Sequence, residues 1–142
     1  MMSLKEQLLA HIKKKYRALP EYLWMRYPNY AVFRHGDNRK WFALMMDIPA
    51  SRLGLDRKEI VDILNVKVCD PLLADLLVRQ EGFFRGYHIS KGNWISILLD
   101  GTVGFEEICR WLDEGYMVTA SKETKHRRRP PKEWIVPANP KY

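Results

Sequence analysis

The chain has 142 residues, of which 46% are hydrophobic, 12% aromatic and 29% charged. That length suits one hydrophobic core, and the composition excludes an intrinsically disordered chain. No window reaches the roughly 18 uninterrupted apolar residues a membrane helix needs, and the N-terminus lacks the apolar run of a signal peptide. Two cysteines, Cys69 and Cys109, make neither a disulfide framework nor a metal-ligand spacing. These features predict a cytoplasmic protein with reduced thiols, no metal or other cofactor and no membrane partner. The formal charge of +7 is unevenly placed: residues 1–47 hold nine Lys/Arg against four Asp/Glu, residues 48–118 eight against eleven, and residues 119–142 seven against two. A polyanionic partner would therefore meet the first third of the chain, the tail or a local patch.

Ser3-Leu4-Lys5-Glu6 has the form of a capping box, and Leu4, Leu8, Ile12 and Tyr16 recur every fourth residue, predicting a first helix to about Arg17. Leu19-Pro20 ends it, and an aromatic connection follows from Tyr22 to Tyr30. Tyr30–Arg34 and Lys40–Met46 are β-rich runs around His35-Gly36-Asp37-Asn38-Arg39, which predicts a hairpin. Ile48–Lys58, with Pro49 and Gly54, reads as a surface excursion before a third strand at Ile60–Val68. Asp70-Pro71 offers an N-cap and first-turn proline to a second helix ending near Gln80, with Leu72, Leu73, Leu76 and Leu77 as its buried face. Phe83–Ile89 and Trp94–Leu99 make a second hairpin around Ser90-Lys91-Gly92-Asn93, and Phe105–Glu114 a third helix that Gly115 closes. The expected order is αβββαββα: a two-layer α+β domain with an antiparallel sheet over residues 1–120, and a basic, proline-containing tail over 121–142 in which Trp134-Ile135-Val136 is a docking candidate.

Three stretches carry a family resemblance. Val32-Phe33-x-His35 runs on through Lys40-Trp41-Phe42-Ala43-Leu44; Leu64-Asn65-Val66-Lys67 is followed by Pro71; and Gly86-Tyr87-His88-x-x-Lys91-x-x-Trp94 precedes Leu99-Asp100-Gly101. Over roughly Leu19 to Met117 the chain resembles the MmcQ/YjbR family, the third stretch being the most specific. The resemblance implies a secretion-chaperone-like α+β fold whose two hairpins act as a double wing on DNA. The excursion at Ile48–Lys58 and the long basic tail depart from a minimal member of that family, so nothing carries over to them.

The residues themselves supply a chemistry for such a role. Strand alternation through Gly86-Tyr87-His88-Ile89 would put Tyr87 and His88 on opposite faces, with Lys91 at the turn and Trp94 opening the return strand. Lys91 and His88 suit phosphate oxygens, and Tyr87 or Trp94 suits base stacking. Arg34, Arg39 and Lys40 flank the first turn and Lys67 ends the third strand, so both hairpins can present positive charge; Arg127-Arg128-Arg129 extends it into the tail. Core packing of Tyr87 and Trp94, and lysines and arginines that merely blunt sheet edges, are the competing readings. An enzyme built on His88, with Lys91 and Ser90 or Tyr87, has no nearby orienting carboxylate in the sequence. Cys69, just ahead of a helix start, is a candidate for a lowered thiol pKa, against which stands a small buried residue. His11 lies among lysines and is expected in solvent. The function favoured by these residues is a non-enzymatic nucleic-acid-binding domain, DNA first, and the alternative is a chaperone-like adaptor for a peptide or protein partner.

Overall fold

The computed structural model of the protein describes residues 2–89 and 92–128, the last two by backbone alone. Helix α1 (Leu4–Tyr16) opens with the predicted capping box, Ser3 Oγ accepting from the Glu6 amide at 3.1 Å and Glu6 Oε1 from the Ser3 amide at 2.8 Å. The rest of the order is β1 (Ala31–Arg34), β2 (Trp41–Pro49), a 3₁₀ turn (Ala50–Leu53), β3 (Ile60–Lys67), α2 (Pro71–Leu77), β4 (Phe83–Arg85), β5 (Trp94–Leu98), α3 (Phe105–Thr119) and α4 (Lys122–Arg128). The strands form one antiparallel sheet in the order β1-β2-β3-β5-β4, so β5 returns between β3 and the edge strand β4. The expected two-layer α+β fold is therefore present. No helix among the described residues is long and apolar enough to cross a membrane.

Strand alternation sends two apolar sets to opposite sides. Ala43, Met45, Leu64, Val66, Ile95 and Ile97 join Leu8 and Ile12 of α1 and Ile108 and Leu112 of α3 in the main core. Val32, Leu44, Met46, Ile63 and Leu98 line the other face, where connecting segments provide the cover: Trp24, Leu53 and Leu55, Tyr87 and Ile89. The segment after Pro49, predicted to be a surface excursion, is thus part of this cover, with Ala50 fully buried. Strand β2 also runs further than expected because Ile48 and Pro49 stay in register with Val61 and Ile60.

Three other differences have local causes. In α2 the leucines divide: Leu77 is buried with Ala74, whereas Leu72 and Leu76 are exposed. Both pairs have helical spacing, and the side that meets β4 and β5 decides between them. Helix α3 does not stop at Gly115 but continues to Thr119. A Cβ at residue 115 would lie 3.1 Å from Val66 Cβ and 3.3 Å from the carbonyl oxygens of Phe42 and Lys67, so glycine is what lets the helix lie against the sheet. The chain also forms α4 beyond Ala120, and Thr124 within it is buried. A Gly115→Leu chain should unfold at lower urea concentration, with a loss of about 1–3 kcal/mol from overpacking between α3 and the sheet.

Candidate functional site

The first hairpin is tied down. The His35 amide closes the turn by donating to Lys40 O at 2.9 Å, Arg39 takes a left-handed φ of 61°, and Lys40 N donates to Asn38 Oδ1. The His35 side chain is 1% exposed, packed on the rings of Phe42 and Tyr116, with Nε2 2.8 Å from Thr119 Oγ1. Asn38 Nδ2 donates to Thr119 O at 3.2 Å. Asp37 accepts from the hydroxyls of Ser121 and Thr124, the latter at 3.0 Å, and these bonds hold its carboxyl down at about 2. The turn is therefore fastened to the end of α3 and the start of α4.

Two of the expected phosphate ligands are already paired. Arg34 Nε lies 3.3 Å from Glu21 Oε1 and Arg39 Nη2 3.2 Å from Glu21 Oε2, so one carboxylate takes both arginines. Glu21 is itself held beside β1 by reciprocal backbone bonds with Val32, each 2.9 Å.

The second hairpin corrects the alternation argument. Strand β4 ends at Arg85, and residues 86–89 form a turn in which the Ile89 amide donates to Gly86 O at 3.2 Å. His88 has φ +59° and its ring lies 4.1 Å from that of Tyr87, so the two are not on opposite faces of a strand. Gly86 is required where it stands: a Cβ there would be 2.9 Å from Trp94 Cβ. The turn is anchored from beneath by buried polar groups. The Tyr87 amide donates to Ser96 Oγ at 2.9 Å, and the Ser96 hydroxyl donates to Asn65 Oδ1. Asn65 Nδ2 reaches Leu44 O at 3.3 Å and Met46 Sδ at 3.2 Å. Asn65 of the Leu64-Asn65-Val66-Lys67 stretch is thus a positioning residue that the sequence did not explain.

What the two hairpins bring together is an open groove of about 500 Å³. Lys40, Lys67 and His88 line it around Trp41 and Trp94, with Ile89 and Thr119 completing the wall, and no acidic side chain takes part. Neither lysine has an acidic partner among the described residues. Trp94, opposite Lys67 in the ladder, is only 8% exposed and serves the core more than a stacking role. Trp41 is half-buried, edge-on to Trp24 and 5.8 Å from the Arg34 guanidinium. It was absent from the expected site although it directly follows Lys40. Lys91, Arg129 and the side chains of Arg127 and Arg128 lie outside the described residues, as do Ser90 and the Trp134-Ile135-Val136 stretch.

The fold agrees with comparisons to known proteins. The YjbR family model matches residues 13–118. The chain belongs to the YjbR family. It is similar to the uncharacterised protein YyaQ of Bacillus subtilis, at 41% identity over 118 residues that cover 83% of this chain and 99% of that one. A crystal structure of a Pseudomonas syringae protein, 39% identical, superposes with a TM-score of 0.78 over 82% of this chain and 98% of the other. A Deinococcus radiodurans protein with a DUF419 domain, 24% identical, shares the fold with a TM-score of 0.62 over 87% of this chain and 82% of its own. The YjbR match ends one residue before Thr119, so the docking of Ser121 and Thr124 on Asp37 lies beyond it.

Two expectations outside the groove are overturned. Cys69 is exposed, and its thiol is pushed up, first by desolvation and then by Asp70 and Glu114. His11 is half-buried, edge-on to Phe105 at 5.9 Å and to Tyr16 at 6.2 Å, not in solvent. Among the described residues no cluster of three or more His, Cys, Asp or Glu could hold a metal ion.

Ser96→Ala removes the partner of both the Tyr87 amide and Asn65 Oδ1, and should cost about 1–3 kcal/mol in urea denaturation. Burial lowers the imidazole pKa of His35 and His11 below the ordinary 6.5, against the pull of Asp37 and Asp113 respectively. The unfolded chain then binds more protons than the folded one below that pH. The stability contributed by the neutral rings is complete above 6.5 and is lost as pH falls through it. The urea midpoint should fall between about pH 7.5 and about pH 5.5, and His35→Gln should shrink that difference.

Proposed function

We propose that this YjbR domain binds nucleic acid, as a binding module and not as a catalyst, by seating backbone phosphates in the groove of Lys40, Lys67 and His88. The observation that carries the reading is that groove: cationic side chains without acidic neighbours beside a half-buried tryptophan, with Lys67 and His88 coming from a stretch of chain whose overall charge is negative. Phosphate contact by lysine is sequence-independent and salt-sensitive, and an aromatic beside it favours a strand with unpaired bases. Both hairpins contribute, Lys40 from the first and His88 from the second, which gives the double wing a physical form: two hairpins converging on one groove. Helix α4 begins just after Thr119 at the groove wall, so Lys122 and Lys125 add positive charge near the same end. DNA is the first ligand to test and RNA the second.

A protein-partner reading has its own support in the connection between α1 and β1. Leu19, Tyr22, Leu23 and Met25 are exposed there, Met25 at 99%.

Fluorescence anisotropy with single- and double-stranded oligonucleotides across a salt series separates the two. Lys40→Ala and Lys67→Ala should each weaken binding for every sequence and flatten the log affinity against log salt slope by about 1. Arg34→Ala and Arg39→Ala should do less, since both are already paired with Glu21. Absence of binding at low salt would leave the protein-partner reading.

A further inference from the structure

We propose that a second cleft, across the Tyr87 and His88 turn from the lysine groove, is another phosphate seat with Arg52 as its ligand, so that a bound strand crosses the turn from Lys67 to Arg52. The inference rests on the nucleic-acid reading above and adds a contact and a path to it.

Both cavities open on the face of the sheet that connecting segments cover. Lys67 alternates with Val66 of the main core, which puts it on the side of Ile63. Tyr30 and Ile48 line the cleft and belong to the apolar set on that same side. His88 lies in the walls of both cavities, so they are neighbours. Trp41 in the groove and Ile48 in the cleft are seven residues apart along β2, about 23 Å. A strand that advances about 3.4 Å per nucleotide covers that distance with about seven nucleotides.

Arg52 differs from Arg34, Arg39, Arg57 and Arg85 in its partner. Those four are each paired with a carboxylate. Arg52, exposed on the 3₁₀ turn, instead donates through Nη1 to the Tyr87 hydroxyl at 3.3 Å and has no acidic partner among the described residues. A neutral hydroxyl orients the guanidinium without offsetting its charge, and the remaining N–H groups of the fork suit the oxygens of one phosphate. Asp47 borders the cleft, but its side chain alternates with Met46 and Ile48 and takes the helix face. There Asn29 Nδ2 reaches Oδ2 at 2.9 Å, and the ladder partner Asp62 lies 3.9 Å from Lys5 of α1.

The cleft has a volume of about 190 Å³, which admits a phosphate group and little more of the strand. Tyr30 is buried in its wall, with Tyr27 stacked on it, centroids 4.6 Å apart and planes 10° from parallel. Burial raises the Tyr30 hydroxyl pKa, with Tyr87, Tyr27 and Asp47 adding to the shift and Arg52 opposing it, so the group stays a neutral donor near Arg52. The Tyr87 wall is fixed by its amide bond to Ser96, so the seat is built before any ligand arrives.

Anisotropy titrations with a single strand of about twelve nucleotides, longer than that path, test the proposal across a salt series. Arg52→Ala should weaken binding about ten-fold and flatten the slope of log affinity against log salt by about 0.7–1, the effect of one phosphate contact. Combining it with Lys67→Ala should flatten the slope by about twice as much. Tyr87→Phe, which removes the hydroxyl that orients Arg52, should weaken binding by about three-fold and leave the slope as it is. Lys13→Ala takes the same charge from the exposed side of α1, across the sheet from both cavities, and should change neither quantity. An Arg52→Ala slope equal to that of the wild type, with Lys67→Ala still lowering its own, would overturn the second seat while leaving the groove reading intact. So would a slope that Lys13→Ala flattens as far as Arg52→Ala does, because net charge alone then accounts for both. Failure of the wild-type chain to bind the strand at low salt would overturn both readings.

Discussion

The candidate site depends on two buried polar side chains in the middle of an otherwise apolar sheet face. Asn65 and Ser96 sit on adjacent strands, and both are fully buried. A polar pair in that position is costly unless every group is satisfied, and here it is satisfied by reaching upward as well as sideways: Leu44 O and Met46 Sδ take the amide hydrogens, and the Tyr87 amide supplies the last bond. The turn at 86–89 is thereby stitched to the sheet from below. His88 takes its left-handed backbone inside the turn that the Ile89 amide closes on Gly86 O, directly after the residue whose amide Ser96 holds.

Charge in this protein is informative by its pairing. Three of the cations expected to meet phosphate, Arg34, Arg39 and Lys40, lie within one short hairpin, yet Glu21 takes the two arginines and leaves the lysine. The selection comes from a residue far away in sequence that an isolated backbone bridge brings to the edge of β1. Net charge by segment could not have distinguished them.

Much of the fold was legible in the sequence because it is governed by local chemistry. The capping box at Ser3, the Asp70-Pro71 start of α2, the alternation in β2, β3 and β5 and the turn residues between strands all act over a few neighbours. The misreadings arise where tertiary contact decides. Gly115 has the composition of a helix end and the role of a contact point; Leu72 and Leu76 have the spacing of a buried face and lie outside it; Tyr87 and His88 follow a strand and belong to a turn. The groove was legible in part, since Lys40, Lys67, His88 and Trp94 were named and do meet. Trp41 and the Asp37 anchor were not, because neither side chain carries a signal that depends on sequence spacing alone.

The two faces of the sheet are covered in unlike ways, by packed helices on one side and by connecting segments on the other. Helices bring internally bonded backbone to the interface, whereas connections contribute single side chains on chain that is otherwise solvated. Amide hydrogens should therefore exchange in two tiers, with the segments around Trp24, Leu53 and Tyr87 opening well below the free energy of global unfolding while β2, β3 and α3 hold. The His88 and Ile89 wall of the candidate site belongs to the looser tier, and the Trp41 and Lys67 wall to the tighter one. A ligand bridging the two walls would slow exchange in the turn around Tyr87 by tethering it to strands that already hold.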